Sequence, residues 1–178
     1  MTTYFAPTRD MRFVIEELAG LDQLTRLSGY EDATPDLVEA VLGEAAKLAG
    51  EVLAPLNKTG DAQGVRLEAG SVRTADGFKA AYQQFVEGGW SGISSSPEYG
   101  GQGLPELVLT ATMEMWNAAN MSFAMCALLT IGATEALKQQ FPRYGVVTLH
   151  RPSNVDDEQN FHGIASALRD IAAELPLI

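Results

Sequence analysis

Apolar residues recur at helical spacing along most of this chain. The clearest run begins at Thr34, where Leu37, Val38, Val41, Leu42, Ala45, Leu48, Ala49 and Val52 fall on one stripe of a helix. Thr34 is a good N-cap, and Pro35 suits the first helical position because its missing N–H would have no partner there. The stripe predicts a helix to about Pro55. Ahead of it, a short helix over 8–18 is expected, with Thr8 as cap and Phe13, Val14 and Leu18 on one face. A second short piece carries Leu21, Leu24 and Leu27 and ends at Gly29.

The period changes in VRLEAGSVRT, residues 65–74, where two alternating runs flank Ala69-Gly70 and predict a small hairpin. Asp76 is then placed to cap a helix bearing Phe78, Tyr82, Phe85 and Val86, stopped by Gly88-Gly89. The stretch GWSGISSSPEYGGQGLP, 89–105, is a loop set by glycine and proline. Pro105 opens a helix with Leu107, Val108, Ala111 and Met115 on one side. Asn120 is placed to cap a last helix, from Met121 to about Lys138, apolar almost all round and therefore expected at the centre.

After residue 140 the pattern is of another kind. YGVVTL, 144–149, reads as a short buried strand. A polar loop follows, then an amphipathic helix with Phe161, Ile164, Ala165, Leu168, Ile171 and Ala172. Pro176-Leu177-Ile178 reads as the entry to a second strand. Such strands belong in a parallel sheet covered on both faces, and nothing upstream predicts parallel neighbours. The expected fold class is mainly α: a helical domain with a small hairpin over 1–140, and a truncated β-α unit over 141–178.

Composition narrows the partners. The net charge is −11, with 12 Lys and Arg against 23 Asp and Glu, and nucleic-acid binding needs the clustered cations that this balance lacks. Cys126, the single cysteine, cannot form an internal disulfide; in the apolar run AMCALL it reads as a small core residue of a cytoplasmic protein. The N-terminus has no basic start ahead of an apolar core, so a secretory signal is not expected. Residues 115–134 carry no charge and have the length of a membrane span. Asn117, Asn120, Ser122 and Thr130 would bring unpaired polar groups into lipid, so a helix buried in a bundle is the better reading.

Candidate chemistry is sparse. EYGGQGL, 98–104, has closely spaced glycines that could offer N–H groups to a phosphate, yet it lacks a third glycine at the set spacing and the preceding strand of a dinucleotide fingerprint. A structural turn is favoured there. Met113, Met115, Met121 and Met125, with Trp116 and Phe123, could line an apolar cavity or form plain core. The first 140 residues contain no histidine, and then His150 and His162 follow within 13 positions of each other. His150, with Arg151, stands after a predicted strand and before a helix, where open α/β sheets bind anions. His162, on the helix, reads as an ordinary, partly exposed residue. No zinc spacing, Ser/His/Asp order or Walker sequence occurs, and Glu16, Glu17, Glu31 and Asp32 read as solvated surface.

Several separate motifs carry a resemblance. YFAPTRDMRFVIEEL at 4–18, EVLAPLNK at 51–58, GGW at 88–90, PEYGGQGLP at 97–105 and MEMWNAANMSFAMC at 113–126 together resemble the flavin-dependent acyl-CoA dehydrogenases, in the branch that includes the methylmercaptopropionyl-CoA dehydrogenases. The resemblance covers about residues 1–138. It implies the N-terminal helical domain of a fold that continues into a middle β domain and a C-terminal helical bundle. In that family a glutamate of the C-terminal bundle takes the α-proton of an acyl-CoA thioester while hydride passes to FAD. Neither that glutamate nor the T-E-P-x-A-G-S-D-like stretch that contacts flavin has a counterpart here. The implied remnant is a wall of the acyl pocket, through Tyr99, Gly100, Gly101, Met121 and Phe123, with FAD not bound by this chain.

A second motif, YGVVTLHRPSNVDD from 144, is similar to the start of the second domain of non-hydrolysing UDP-N-acetylglucosamine 2-epimerases. That resemblance implies an active-site role for His150, with Arg151 and Asn154 in its loop, and no counterpart for the family's first-domain carboxylates. Two coding fragments are thus expected to meet near 139–143. Three functions follow as expectations: an acyl-CoA dehydrogenase fragment inactive alone, an acyl-group binding module without catalysis, or a partial nucleotide-sugar site in the tail. Exposed pocket surface is expected to promote self-association.

Overall fold

A computed structural model describes residues 3–140 and 158–172, without the side chains of 136–140 and 158–161. The chain divides into two compact units, Met1–Ile131 and Gly132–Ile178. The predicted strand at 144–149, the loop with His150, Arg151 and Asn154, and the strand entry at 176–178 lie outside the described residues.

The first unit is built from helices around one apolar core. Helix α1 spans Thr8–Phe13 and runs on as a π-helical turn, Val14–Leu18; α2 is Leu21–Leu24. The long helix is α3, Pro35–Lys47, a π-helical segment, Leu48–Leu53, and α4, Ala54–Gln63. Thr34 caps it as predicted, its side chain accepting from Leu37 N–H. The helix does not stop at Pro55. That proline falls in the first turn after the π segment, and the change of hydrogen-bond pattern there accommodates a residue that donates none. Of the predicted stripe, Val38, Leu42, Ala45, Leu48 and Ala49 are buried, joined by Leu53, while Leu37 is exposed.

Three further expectations are corrected. Thr8 is inside α1, and Pro7 occupies the cap position with no side-chain bond. The buried face of that helix is Met11 and Ile15, four apart, whereas Phe13, Val14 and Leu18 face solvent. Asp76 does not cap the next helix: α5, Phe78–Glu87, starts from Gly77 at φ 86°. Asp76 instead accepts from Gln63 Nε2 at 3.1 Å and donates its own N–H to Gln63 Oε1 at 2.8 Å. This reciprocal pair closes the base of the predicted hairpin, β1 Arg66–Glu68 and β2 Ser71–Arg73, paired antiparallel with Leu67 opposite Val72. Ala69 (φ 49°) and Gly70 (φ 77°) both take left-handed backbone, the signature of the tight turn whose twist matches a hairpin.

Helix α6, Glu106–Gln140, is interrupted at Asn120, whose φ of −158° and ψ of 88° are not helical. Asn120 caps the second half as predicted: its Oδ1 accepts from Phe123 N–H at 3.2 Å and from Ser122 Oγ at 2.7 Å. Its Nδ2 reaches 67 residues back and donates to Leu53 O at 3.0 Å, at the end of the π segment. One fully buried side chain therefore starts one helix and ties it to another. In the first half, Val108, Ala111 and Met115 are buried as expected, with Leu107 partly so. The second half is not central on all sides. Phe123, Ala124 and Ala127 are buried, but Met121, Met125, Leu128 and Leu129 are exposed, and so is Cys126, which is not a core residue.

In the second unit, α7 spans Glu158–Ala172. Ile164, Ala165 and Leu168 are half-buried as the amphipathic pattern expects, while Ile171, Ala172 and His162 are exposed. No helix among the described residues is long and apolar enough to cross a membrane.

Candidate functional site

The glycine loop is a closed turn. Pro97–Tyr99 forms a short 3-10 turn started by Ser96, whose hydroxyl accepts from Glu98 N–H. Gly100 follows at φ 80°. From there each N–H is already bonded within the loop: Gly100 to Pro97 O, Gly101 to Ser96 O, Gln102 to Gly92 O, Gly103 to Ser95 O and Leu104 to Ile93 O, at 2.8–3.1 Å. Gln102 adds a bond from Nε2 to Gly89 O. A phosphate would find no free donor among these five. Glycine is required at 101 because a Cβ there would lie 2.1 Å from Ser95 O. Tyr99 projects outward, 67% exposed, beside this rigid turn.

Met121 and Phe123 part company. They are two residues apart on a helix, so they point to nearly opposite sides. Phe123 is buried among Phe85 (5.7 Å between ring centroids), Phe78 (6.3 Å) and Tyr82 (6.4 Å). Phe85 in turn meets Trp116 edge-on at 5.0 Å, and Trp90 meets Trp116 at 5.5 Å. Met121 is 62% exposed. The methionine-rich stretch thus divides: Met113, Met115, Trp116 and Phe123 are core, while Met121 and Met125 are surface. The structure joins Tyr99, Gly100 and Gly101 in one turn and seats Phe123 in the aromatic core. His150, Arg151 and Asn154 lie outside the described residues.

A groove of about 490 Å³ opens elsewhere, between the N-terminal segment and the long helix, lined among others by Tyr4, Phe5, Gly43, Lys47, Gly50 and Glu51. None of the described candidate residues borders it. A Cβ at Gly50 would meet Tyr4 O at 2.9 Å, so glycine lets the segment lie flat on the π turn. Burial, reinforced by the negative charge of Glu114, pushes the Tyr4 hydroxyl above its ordinary 10.0. Lys47 is held protonated by its bond to Glu44, with Glu51 adding to the effect. The sequence reading missed this groove and also the bond from Asn120 to Leu53. Asn120 at the head of an apolar run signalled a cap, but nothing in the sequence signalled the partner.

No protein-family model matches the chain. Over 135 residues it is 46% identical to 3-methylmercaptopropionyl-CoA dehydrogenase of Ruegeria pomeroyi, a match covering 76% of this chain and 23% of that protein. Two butyryl-CoA dehydrogenases of Syntrophomonas wolfei are 28% and 29% identical over 139 and 150 residues, 76% and 78% of this chain. These relatives are acyl-CoA dehydrogenases. The chain spans about a quarter of their length. Its mainly helical first unit agrees with the helical domain expected from resemblance to acyl-CoA dehydrogenases.

Proposed function

We propose that residues 1–138 are the N-terminal helical part of an acyl-CoA dehydrogenase, a surface that helps enclose the acyl group rather than a catalytic unit. The observation that carries this reading is the 46% identity sustained over 135 residues. FAD is the cofactor of the reaction so implied. The glycine loop does not fit it: a flavin dinucleotide needs donors for its diphosphate, and Gly100–Leu104 have committed their N–H groups internally. The purified chain is therefore expected to be colourless and to show no dehydrogenation of acyl-CoA.

The test is thermal unfolding with increasing butyryl-CoA. A ligand that binds only the folded state raises the midpoint in a saturable way. Met121→Ala should weaken that response while leaving the unliganded midpoint almost unchanged, because the side chain is mostly exposed. No stabilisation at any concentration would reject the acyl surface, and a stable flavin spectrum would reject the proposed division of labour. For residues 141–178 we propose a separate origin, resting on the epimerase-like TLHRPSN motif at 148–154, which carries His150, Arg151 and Asn154. Sequencing the locus through codons 135–150 tests it, and one uninterrupted dehydrogenase reading frame would sink it.

A further inference from the structure

We propose that Asn120 is a positioning residue for the acyl surface: it restarts α6 out of phase, pins the restart to Leu53 O, and so sets the direction in which Met121 projects. This rests on the acyl surface proposed above and deepens it. Asn120 has no exposed surface, so it acts on a ligand only through its neighbours. The change of phase is visible in burial. Met115 and Ala119 are buried in the first half of α6, and a helix that kept its period of about 3.6 residues would bring Ser122, Cys126 and Thr130 to the same side. All three are exposed. Phe123 and Ala127 are buried instead, with Ile131 packed against the core. The buried face has moved on by one position, on the order of 100° around the axis, across the non-helical φ and ψ of Asn120. Met121 stands two positions before Phe123, so its direction turns with that face.

The hydrogen bonds of Asn120 divide into two tasks. Oδ1 accepts from Phe123 N–H and Ser122 Oγ, which starts the new helix. Nδ2 donates to Leu53 O at 3.0 Å, which fixes where it starts. Leu53 is fully buried at the end of the π segment, and Tyr4 O lies against Gly50 within that segment. The carbonyl offered to Asn120 therefore belongs to a packed element. Other good N-caps cannot do both tasks: Asp has no donor, and Ser or Thr has a single oxygen on a shorter arm.

Asn120→Ser keeps a cap and loses the tie, and methionine methyl NMR of the full chain reads the result. Without ligand, the Met121 methyl resonance should shift in this variant, while that of Met11, buried on α1, should stay in place. The same resonances then follow a titration with butyryl-CoA at a temperature where every variant is folded. Asn120→Ser should raise the dissociation constant at least about tenfold. Ile15→Val, a change to a buried residue of another helix, should leave it unchanged. A merely structural asparagine would lower the unfolding midpoint and move neither the resonance nor the affinity. If Asn120→Ser does not fold, the unsubstituted chain decides: hydrogen exchange at Asn120 Nδ2 should slow at least about fivefold on saturation with butyryl-CoA, because a site and the bond that shapes it stabilise each other reciprocally. The positioning role is overturned by an unmoved Met121 resonance, by equal affinity of Asn120→Ser and the unsubstituted chain, or by Nδ2 exchange that ignores the ligand. An unsubstituted chain that binds no butyryl-CoA is a different failure: it removes the acyl surface itself, and the positioning role with it.

Discussion

Asn120 carries three hydrogen bonds from a position with no exposed surface, and each has a separate consequence. Its carboxamide oxygen starts the second half of α6, and its nitrogen serves Leu53 O. Asn120→Ala removes the cap and leaves a carbonyl without that donor, so a loss of about 2–3 kcal/mol is expected in urea unfolding. Asn120→Ser should recover only the capping share. The cap was legible in the sequence, because an asparagine at the head of an apolar run has few other uses. Its partner was not legible, since a contact across 67 residues leaves no periodic trace. Phe123 illustrates the same limit: its residue type fits either a pocket wall or a core, and only the rings of Phe78, Tyr82 and Phe85 around it decide where its side chain lies.

Among the elements, the loop from Gly89 to Pro105 is the most constrained. Its bonds run from Gly101–Leu104 back to residues 92–96, so it behaves as a knot of backbone rather than a flexible connector. Gly101→Ala would press a methyl group into the Ser95 carbonyl. Backbone on both sides leaves little room to yield, and amide hydrogen exchange at Gln102, Gly103 and Leu104 should accelerate by at least about tenfold, as the local bonds are lost. Glycine and proline content announced a loop; the internal pairing of its N–H groups was beyond sequence, because no pattern encodes which carbonyl each one meets. The π-helical turns escaped for a related reason. Helical periodicity predicted the stripe from Leu37 to Val52, but one widened turn shifts which residue comes next inward, so Leu53 is buried where Val52 was expected.

Across the whole molecule, alkaline stability should depend on Tyr4. Its folded value lies above the ordinary 10.0, so the unfolded chain ionises first. Between the two values the folded state binds more protons than the unfolded one, and stability falls as pH rises through that window. Below it, both states are neutral and the group contributes no slope. Tyr4→Phe should flatten this alkaline loss in pH-dependent unfolding, leaving the curve near neutrality in place. The general architecture was readable from residue pattern alone: helix order, the hairpin, the break at Asn120 and the amphipathic helix beyond residue 157. Patterns of this kind record which side of an element is apolar. They do not record whether a neighbour covers that side, which is why the second half of α6 was expected at the centre and lies open along one flank.

The Gln63–Asp76 pair fastens the two ends of a twelve-residue excursion whose strands are exposed throughout. With its neck tied, the hairpin is an appendage that the core does not feel. Its tip at Ala69-Gly70 is accordingly a natural grafting point, where an epitope or a reporter peptide could be spliced in while the helices below keep their packing.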